Sequence, residues 1–114
     1  MRKALFILTL FTLFAFCSCN KDKIILEIVS PKDGATFTKG QNIEVVVTAS
    51  TKKGNIIQVQ MEVDTIIKSL TTPPYNFNIP SGSFTNTGLF PLSVMAYSSK
   101  RVKEGAAIYI KITE

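Results

Sequence analysis

The sequence predicts an all-β fold, an antiparallel sandwich of about seven strands that is held together without a disulfide. From residue 24 onward, apolar and polar residues alternate with a period of two, and no segment shows the period of an amphipathic helix. Turn signals rich in Pro, Gly and Asn separate the alternating segments at short intervals. Short strands divided by regular turns are typical of sandwiches and barrels.

Four segments alternate most clearly, and each places a row of apolar side chains on one face. Three of these rows lie in 43–49, 90–96 and 108–112. The fourth row is Ile57, Val59, Met61 and Val63, with polar residues between them. Strands of this kind bury one face and expose the other.

The complete set of predicted strands follows from these rows and from shorter alternating segments: 24–29, 43–50, 56–64, 66–70, 75–79, 89–98 and 106–113. In the 75–79 strand, we expect Tyr75, Phe77 and Ile79 to lie in the core. Pro91 falls on the outward face of its strand. Its missing N–H predicts an edge or a bulge there.

The N-terminal segment has the organisation of an export signal. Arg2 and Lys3 precede an apolar run, Ala4–Phe16, that is shorter than the ~20 residues of a membrane-spanning helix. The run ends in Phe16-Cys17-Ser18-Cys19, which resembles the lipobox of bacterial lipoproteins. This resemblance implies cleavage before Cys19 and a lipid on that cysteine.

The chain is therefore divided into a signal peptide (1–18), a lipidated Cys19 with a short tether (19–23) and one domain (24–114). The alternative is an ordinary secretory signal in which Cys19 is incidental. Such signals prefer small residues one and three positions before the cut. Bulky Phe16 at the outer position, with cleavage after Ser18, argues against it.

Composition limits the chemistry of the mature chain. Removing residues 1–18 from the 114 leaves 96, and the loss of Arg2 and Lys3 lowers the net charge from +5 to +3. No thiol beyond Cys19 would remain, and the sequence contains no histidine. The usual general base, nucleophile and metal ligands are therefore missing, and we expect no enzyme activity, no cofactor and no metal site.

Several segments resemble a bacterial immunoglobulin-like domain family found in secreted and surface-anchored proteins. They are Ser30–Phe37, Gly54-Asn55-Ile56, Pro73–Phe77 and Gly88-Leu89, in this order and spacing. The resemblance covers nearly all of 24–114 and implies an immunoglobulin-like sandwich. It also implies service as a spacer, an adhesive module or an appendage of carbohydrate-active enzymes.

The chain departs from that family in two loops where acidic residues often occur. It has Lys52 and Lys53 in one loop and Lys100 and Arg101 in the other. Calcium requires six to eight oxygen ligands, usually including carboxylates, so these loops predict no calcium site. The antibody-type disulfide and core Trp are also missing.

Basic residues are expected to gather at one end of the sandwich. If strands run alternately up and down, the 50–55 and 98–105 loops lie together, beside the start of the first strand. The predicted membrane-facing basic end is Lys21, Lys23, Lys52, Lys53, Lys100, Arg101 and Lys103. We hypothesise that it docks on lipid phosphates; the alternative is that these lysines serve solubility alone. No aromatic platform accompanies them, which argues against nucleic acid as a partner.

The first functional hypothesis is a non-enzymatic, lipid-anchored envelope protein acting in binding, adhesion or assembly with other envelope proteins. The second is an accessory carbohydrate-binding component of a glycan capture or degradation system. Tyr97 and Phe84 are its possible ligand contacts, although Phe84 could instead cover the core. Glu62 and Asp64 are interpreted as a solvated pair rather than a catalytic one.

The expected location is the bacterial envelope. Lys21-Asp22-Lys23 loosely resembles the signals that send some lipoproteins to the cell surface. We therefore expect the outer membrane, with surface exposure left open. A basic end that faces the membrane would turn the Ser81–Gly88 loop and the Pro31–Gly34 turn outward, where partners would be recognised.

Overall fold

The structure, a computed structural model, describes residues 22–80 and 82–114, which form eight β-strands. Their bounds are β1 Ile24–Ser30, β2 Ala35–Thr38, β3 Ile43–Thr51, β4 Ile56–Val63, β5 Ile66–Leu70, β6 Tyr75–Ile79, β7 Gly88–Ser98 and β8 Lys103–Thr113. The described part of the chain contains no helix long and apolar enough to cross a membrane.

The strands form two facing sheets. One has the order β1-β3-β6, and the other has the order β2-β8-β7-β4-β5. Every pairing is antiparallel except that of β2 with β8, which is parallel. The predicted all-β, immunoglobulin-like sandwich is therefore confirmed, with one short strand more than expected.

The additional strand is β2, which the alternation did not reveal. β1 lies in the three-stranded sheet, and the Pro31–Gly34 turn carries the chain across to the other sheet. There the Gly34 N–H donates to the Tyr109 carbonyl at 2.7 Å, and Asp33 Oδ1 accepts the Tyr109 N–H at 2.8 Å. β2 has only four residues, and Phe37 is its one large apolar side chain, so its pattern is too short to read locally.

The core lies between the two sheets and consists of the predicted inner rows. Tyr75, Phe77 and Ile79 are buried, as expected. Val59, Met61 and Val63 of β4 are also buried, together with the inner rows of β3, β7 and β8.

The expectation for Ile57 is wrong. The register between β4 and β7 shifts between Ile56 and Gln58, so a β-bulge interrupts the alternation. Such a bulge adds one residue to a strand and reverses the side-chain direction that follows. Ile56 packs against the core, while the Ile57 side chain is 51% exposed.

Pro91 lies in β7, which has neighbours on both sides, rather than in an edge strand. On the β4 side, however, Pro91 lies beyond the last paired residue, so the sheet has a local edge there. The pairing of β7 with β4 ends at Leu92 opposite Val63, whereas Pro91 still faces Tyr109 of β8. A missing N–H is tolerated at such a place.

The strand directions define two ends of the sandwich. β1 begins at the same end as the β3–β4 and β7–β8 turns, because Ile24 pairs with Thr51 and Ile56 pairs with Ser98. The segment between β6 and β7 lies at the other end. The Pro31–Gly34 turn does not reach that tip, because it lies on the flank beside Tyr109, which corrects the outward position expected for it.

Candidate functional site

Two neighbouring turns form the end of the sandwich at which β1 begins. The Ser99 N–H donates to the Asn55 carbonyl at 2.9 Å, and the Asn55 N–H donates to Ser99 Oγ at 3.0 Å. This reciprocal pair joins the β3–β4 turn to the β7–β8 turn. Side chains on both turns are therefore held on one surface.

Each turn is also closed by its own hydrogen bonds. Thr51 Oγ1 donates to the Gly54 carbonyl at 2.6 Å, and Ser98 Oγ accepts the Lys100 N–H at 3.1 Å. Arg101 has a φ of 63°, a left-handed conformation that a tight turn requires and that non-glycine residues seldom adopt.

The structure brings six of the seven predicted basic residues to this end. They are exposed, and we call them the basic end: Lys23, Lys52, Lys53, Lys100, Arg101 and Lys103. Lys21, the seventh, lies outside the described residues, as do Cys19 and the predicted signal peptide. The juxtaposition follows from the topology, which places both turns and the start of β1 together.

Asp22 is a member of this end that the sequence alone did not identify as important. Its Oδ1 accepts the backbone N–H groups of Lys53 and Lys23, each at 2.9 Å. The side chain is only 8% exposed, and Oδ2 is buried without a hydrogen-bond partner among the described residues. Asp22 thus joins the segment before β1 to a turn 31 residues further along the chain.

The surroundings of Asp22 favour its ionised form. Burial alone would raise the pKa of this carboxyl, but the backbone amides of Lys53, Lys23, Lys52 and Gly54 together lower the pKa below its ordinary value of 3.8. The two hydrogen bonds from backbone N–H groups to ionised Oδ1 are charge-assisted, which is the stronger class of hydrogen bond.

Gly54 allows the chain segments at this end to approach closely. A Cβ at this position would lie 2.7 Å from Ser99 Oγ, 2.8 Å from Lys100 Cγ and 3.3 Å from Asp22 Oδ2. No side chain larger than hydrogen fits without displacing the Ser99 hydroxyl that accepts the Asn55 N–H. Close packing therefore favours glycine at position 54, because a larger residue would shift the Ser99 and Lys100 side chains.

Tyr97 lies on the outer face of the five-stranded sheet rather than in a loop. It borders a shallow depression of about 160 Å³, together with Gln60, Glu62, Ser93 and Met95. Amide, carboxylate and hydroxyl groups therefore surround a half-buried aromatic ring. The depression is smaller than the ~300–1,000 Å³ of typical small-molecule sites.

Phe84 is not an exposed contact, so its assignment as a possible ligand residue is corrected. Its side chain is 6% exposed and packs beside Phe90 with ring centroids 5.0 Å apart. Phe84 instead lies over the core, as in the alternative interpretation. The sheet ends at Gly88, and Phe84 covers apolar side chains that would otherwise contact water.

Both carboxylates that were weighed as a pair, Glu62 and Asp64, are exposed. Glu62 lies beside the Tyr97 depression, whereas Asp64 occupies the β4–β5 hairpin with a φ of 53°. Within 22–80 and 82–114, no group of three or more His, Cys, Asp or Glu is placed to hold a metal ion.

Comparison with protein families decides the classification of this sandwich. The model of the bacterial Ig domain matches residues 25–103. The chain belongs to the bacterial Ig domain family. The match covers β1 to β7, including the two turns that carry the basic end.

Two solved structures share this bacterial Ig-like fold. A fibronectin(III)-like module of Clostridium thermocellum CbhA has a TM-score of 0.66 and 21% identity, over 78% of this chain and 97% of that one. The endo-beta-1,4-mannanase of Thermotoga petrophila has a TM-score of 0.65 and 14% identity, over 81% of this chain and 20% of that one. Among curated proteins, no relative matches.

Proposed function

We propose that this protein is a non-enzymatic, lipid-anchored module of the bacterial envelope that acts by binding or assembly with other envelope proteins. The anchor would be a lipid on Cys19. The bacterial Ig domain would be presented from a tether of a few residues.

The observation that supports this proposal most strongly is the position of Asp22. The lipobox-like segment ends at Cys19, and Asp22, three positions later and two before β1, is bonded to the Lys53 amide. A domain that begins so soon after the modified cysteine is suited to presentation close to a membrane. The sequence composition, without histidine, supports a role in binding rather than catalysis.

Fractionation of cells that produce the full chain tests the anchor. We expect the protein in the membrane fraction, released by detergent and not by high salt. Cys19→Ala should abolish fatty-acid labelling and detergent-dependent release, whereas Cys17→Ala, the matched control, should change neither. Equal labelling of wild-type protein and Cys19→Ala would contradict the proposal.

A second candidate function is capture of a glycan, and the Tyr97 depression favours it. Its volume of about 160 Å³ is smaller than the ~300–1,000 Å³ of typical small-molecule sites, so it would hold only a small group such as part of a sugar, whose hydroxyls could hydrogen-bond to its polar side chains. The similar folds occur in a CbhA module and in a mannanase, which agrees with this candidate without identifying a sugar.

A glycan array probed with the purified protein distinguishes the two candidates. If the depression binds sugar, Tyr97→Ala should weaken binding by about two- to tenfold, as the loss of a stacking ring implies. Tyr109→Ala is the matched control, because Tyr109 is 55% exposed on the same sheet and does not border the depression. Binding that both variants retain would rule out this site.

A further inference from the structure

The basic end carries six exposed cationic side chains next to the segment that leads to Cys19. We propose that this end is a docking surface for anionic lipid headgroups and that Asp22 is the positioning residue that turns it toward the membrane. The orientation part of this inference rests on the proposed lipid anchor, whereas the attraction to headgroups does not.

Chain length restricts where the basic end can lie. Asp22 lies three positions after Cys19, which corresponds to about 11 Å when the chain is fully extended. Because Asp22 is bonded to the Lys53 amide, the tether leaves the domain at the β3–β4 turn rather than from a loose terminus. A lipid on Cys19 would hold that turn within roughly one Debye length of the headgroups.

The adjoining turn is brought to the membrane by the same geometry. The reciprocal bonds between Asn55 and Ser99 fix the β7–β8 turn beside the β3–β4 turn. Lys52 and Lys53 therefore approach the surface together with Lys100 and Arg101. Arg presents a planar set of donors and Lys a compact ammonium, and both bind phosphate oxygens.

The charge distribution favours the same orientation. Of the carboxylates toward the basic end, Asp22 is buried and its Oδ1 accepts two backbone N–H groups, whereas Glu104 and Glu27 are exposed. Glu44, Asp64 and Glu114 lie toward the opposite end. The opposite end also carries Lys39 and Lys111, which offset most of its negative charge, so an anionic surface would attract the first end more strongly than the second.

The test uses the full chain, processed by its host and reconstituted into vesicles with and without a phosphatidylglycerol fraction of about 30%. A fluorophore is placed at Asn55→Cys beside the basic end or at Thr85→Cys at the other end. Quenching by headgroup-labelled lipids reports which end lies nearer the membrane. Circular dichroism confirms that each variant is folded.

Two charge variants are compared in each vesicle. One replaces Lys52, Lys53, Lys100 and Arg101 with Ser. The matched control replaces the same number of cations away from the basic end, and these are Lys32, Lys39, Lys68 and Lys111. A third variant, Asp22→Ala, removes the acceptor of the Lys53 amide and leaves every cation in place.

With phosphatidylglycerol present, we expect quenching at position 55 to exceed that at position 85 by about threefold. The matched control should keep this ratio, while the basic-end variant and Asp22→Ala should lower it toward one. High salt should lower it as well. A ratio that is equal in the basic-end variant and its control would overturn docking, and a ratio unaffected by Asp22→Ala would overturn the positioning role.

The intact mass of the same preparations separates this proposal from the lipid anchor. If Cys19 carries no lipid, the anchor fails, and docking is then judged by sedimentation with phosphatidylglycerol vesicles. In that case the basic-end variant should bind about tenfold more weakly than its control. If Cys19 carries lipid and the two charge variants behave alike, docking fails while the anchor stands.

Discussion

At the scale of single residues, the Asp22 carboxylate connects the N-terminal boundary of the domain to its basic end. The sequence did not reveal this contact, because the Lys53 amide lies 31 residues away and no local pattern records it. From the sequence alone, Asp22 between Lys21 and Lys23 was interpreted as part of a sorting signal. Its burial indicates a structural task, since Oδ1 accepts the amides of Lys23 and Lys53 and offsets part of the cost of burying the carboxylate, whose Oδ2 has no partner in the described structure.

The lowered pKa of Asp22 predicts a dependence of stability on pH. Because the backbone amides hold the pKa below 3.8 in the folded state, ionised Asp22 stabilises the fold above that pH. The contribution is lost as the pH falls through the folded-state pKa. In urea unfolding, the advantage of wild-type protein over Asp22→Asn should therefore shrink from about pH 5 toward pH 2.

Asp33→Asn serves as the control for this comparison, since Asp33 is exposed and accepts a single backbone N–H, that of Tyr109. At neutral pH it should cost less stability than Asp22→Asn. If the stability advantage of wild-type protein over Asp22→Asn stayed constant across the pH range, ionisation of Asp22 would be unimportant for the fold.

Phe84 gives a second prediction at this scale. Truncation of a buried aromatic leaves a cavity, and Phe84→Ala should lower the free energy of unfolding by about 3 kcal/mol. Leu89→Ala is the control, because Leu89 is 65% exposed, and it should change stability by less than about 0.5 kcal/mol. Chemical denaturation measures both losses of unfolding free energy. If they were similar, the interpretation of Phe84 as a cover over the core would be wrong.

At the scale of elements, sequence alternation predicted seven strands because burial of one face imposes a period of two. It failed where a long-range contact decides the conformation. β2 exists because β8 supplies its partners, including the Tyr109 carbonyl that receives the Gly34 N–H. The start of β4 was misjudged at Ile57 because the bulge is a property of its register with β7.

The β4 bulge can be tested by paired substitutions. Ile56→Thr places a hydroxyl against the core and should cost about 1–2 kcal/mol of unfolding free energy. Ile57→Thr changes an exposed side chain and should cost no more than about 0.5 kcal/mol. If Ile57→Thr cost more unfolding free energy than Ile56→Thr, β4 would alternate without a bulge, as the sequence pattern suggested.

At the scale of the whole molecule, strand order determines which surface could meet a membrane. The turns that carry Lys52 and Lys100 are 48 residues apart in the numbering, yet the reciprocal contact of Asn55 with Ser99 joins them. Alternating strand directions were sufficient to predict that the two turns share an end. The outer-face depression beside Tyr97 depends on side-chain packing between β4 and β7, which the sequence pattern does not specify.

The central claim, a bacterial Ig domain held to the envelope by a lipid on Cys19, is tested most directly by intact mass spectrometry of the protein purified from membranes. We predict a chain that begins at Cys19 and carries the added mass of a lipid, with residues 1–18 removed. A mature chain that begins elsewhere, or one that begins at Cys19 without added mass, would contradict the claim.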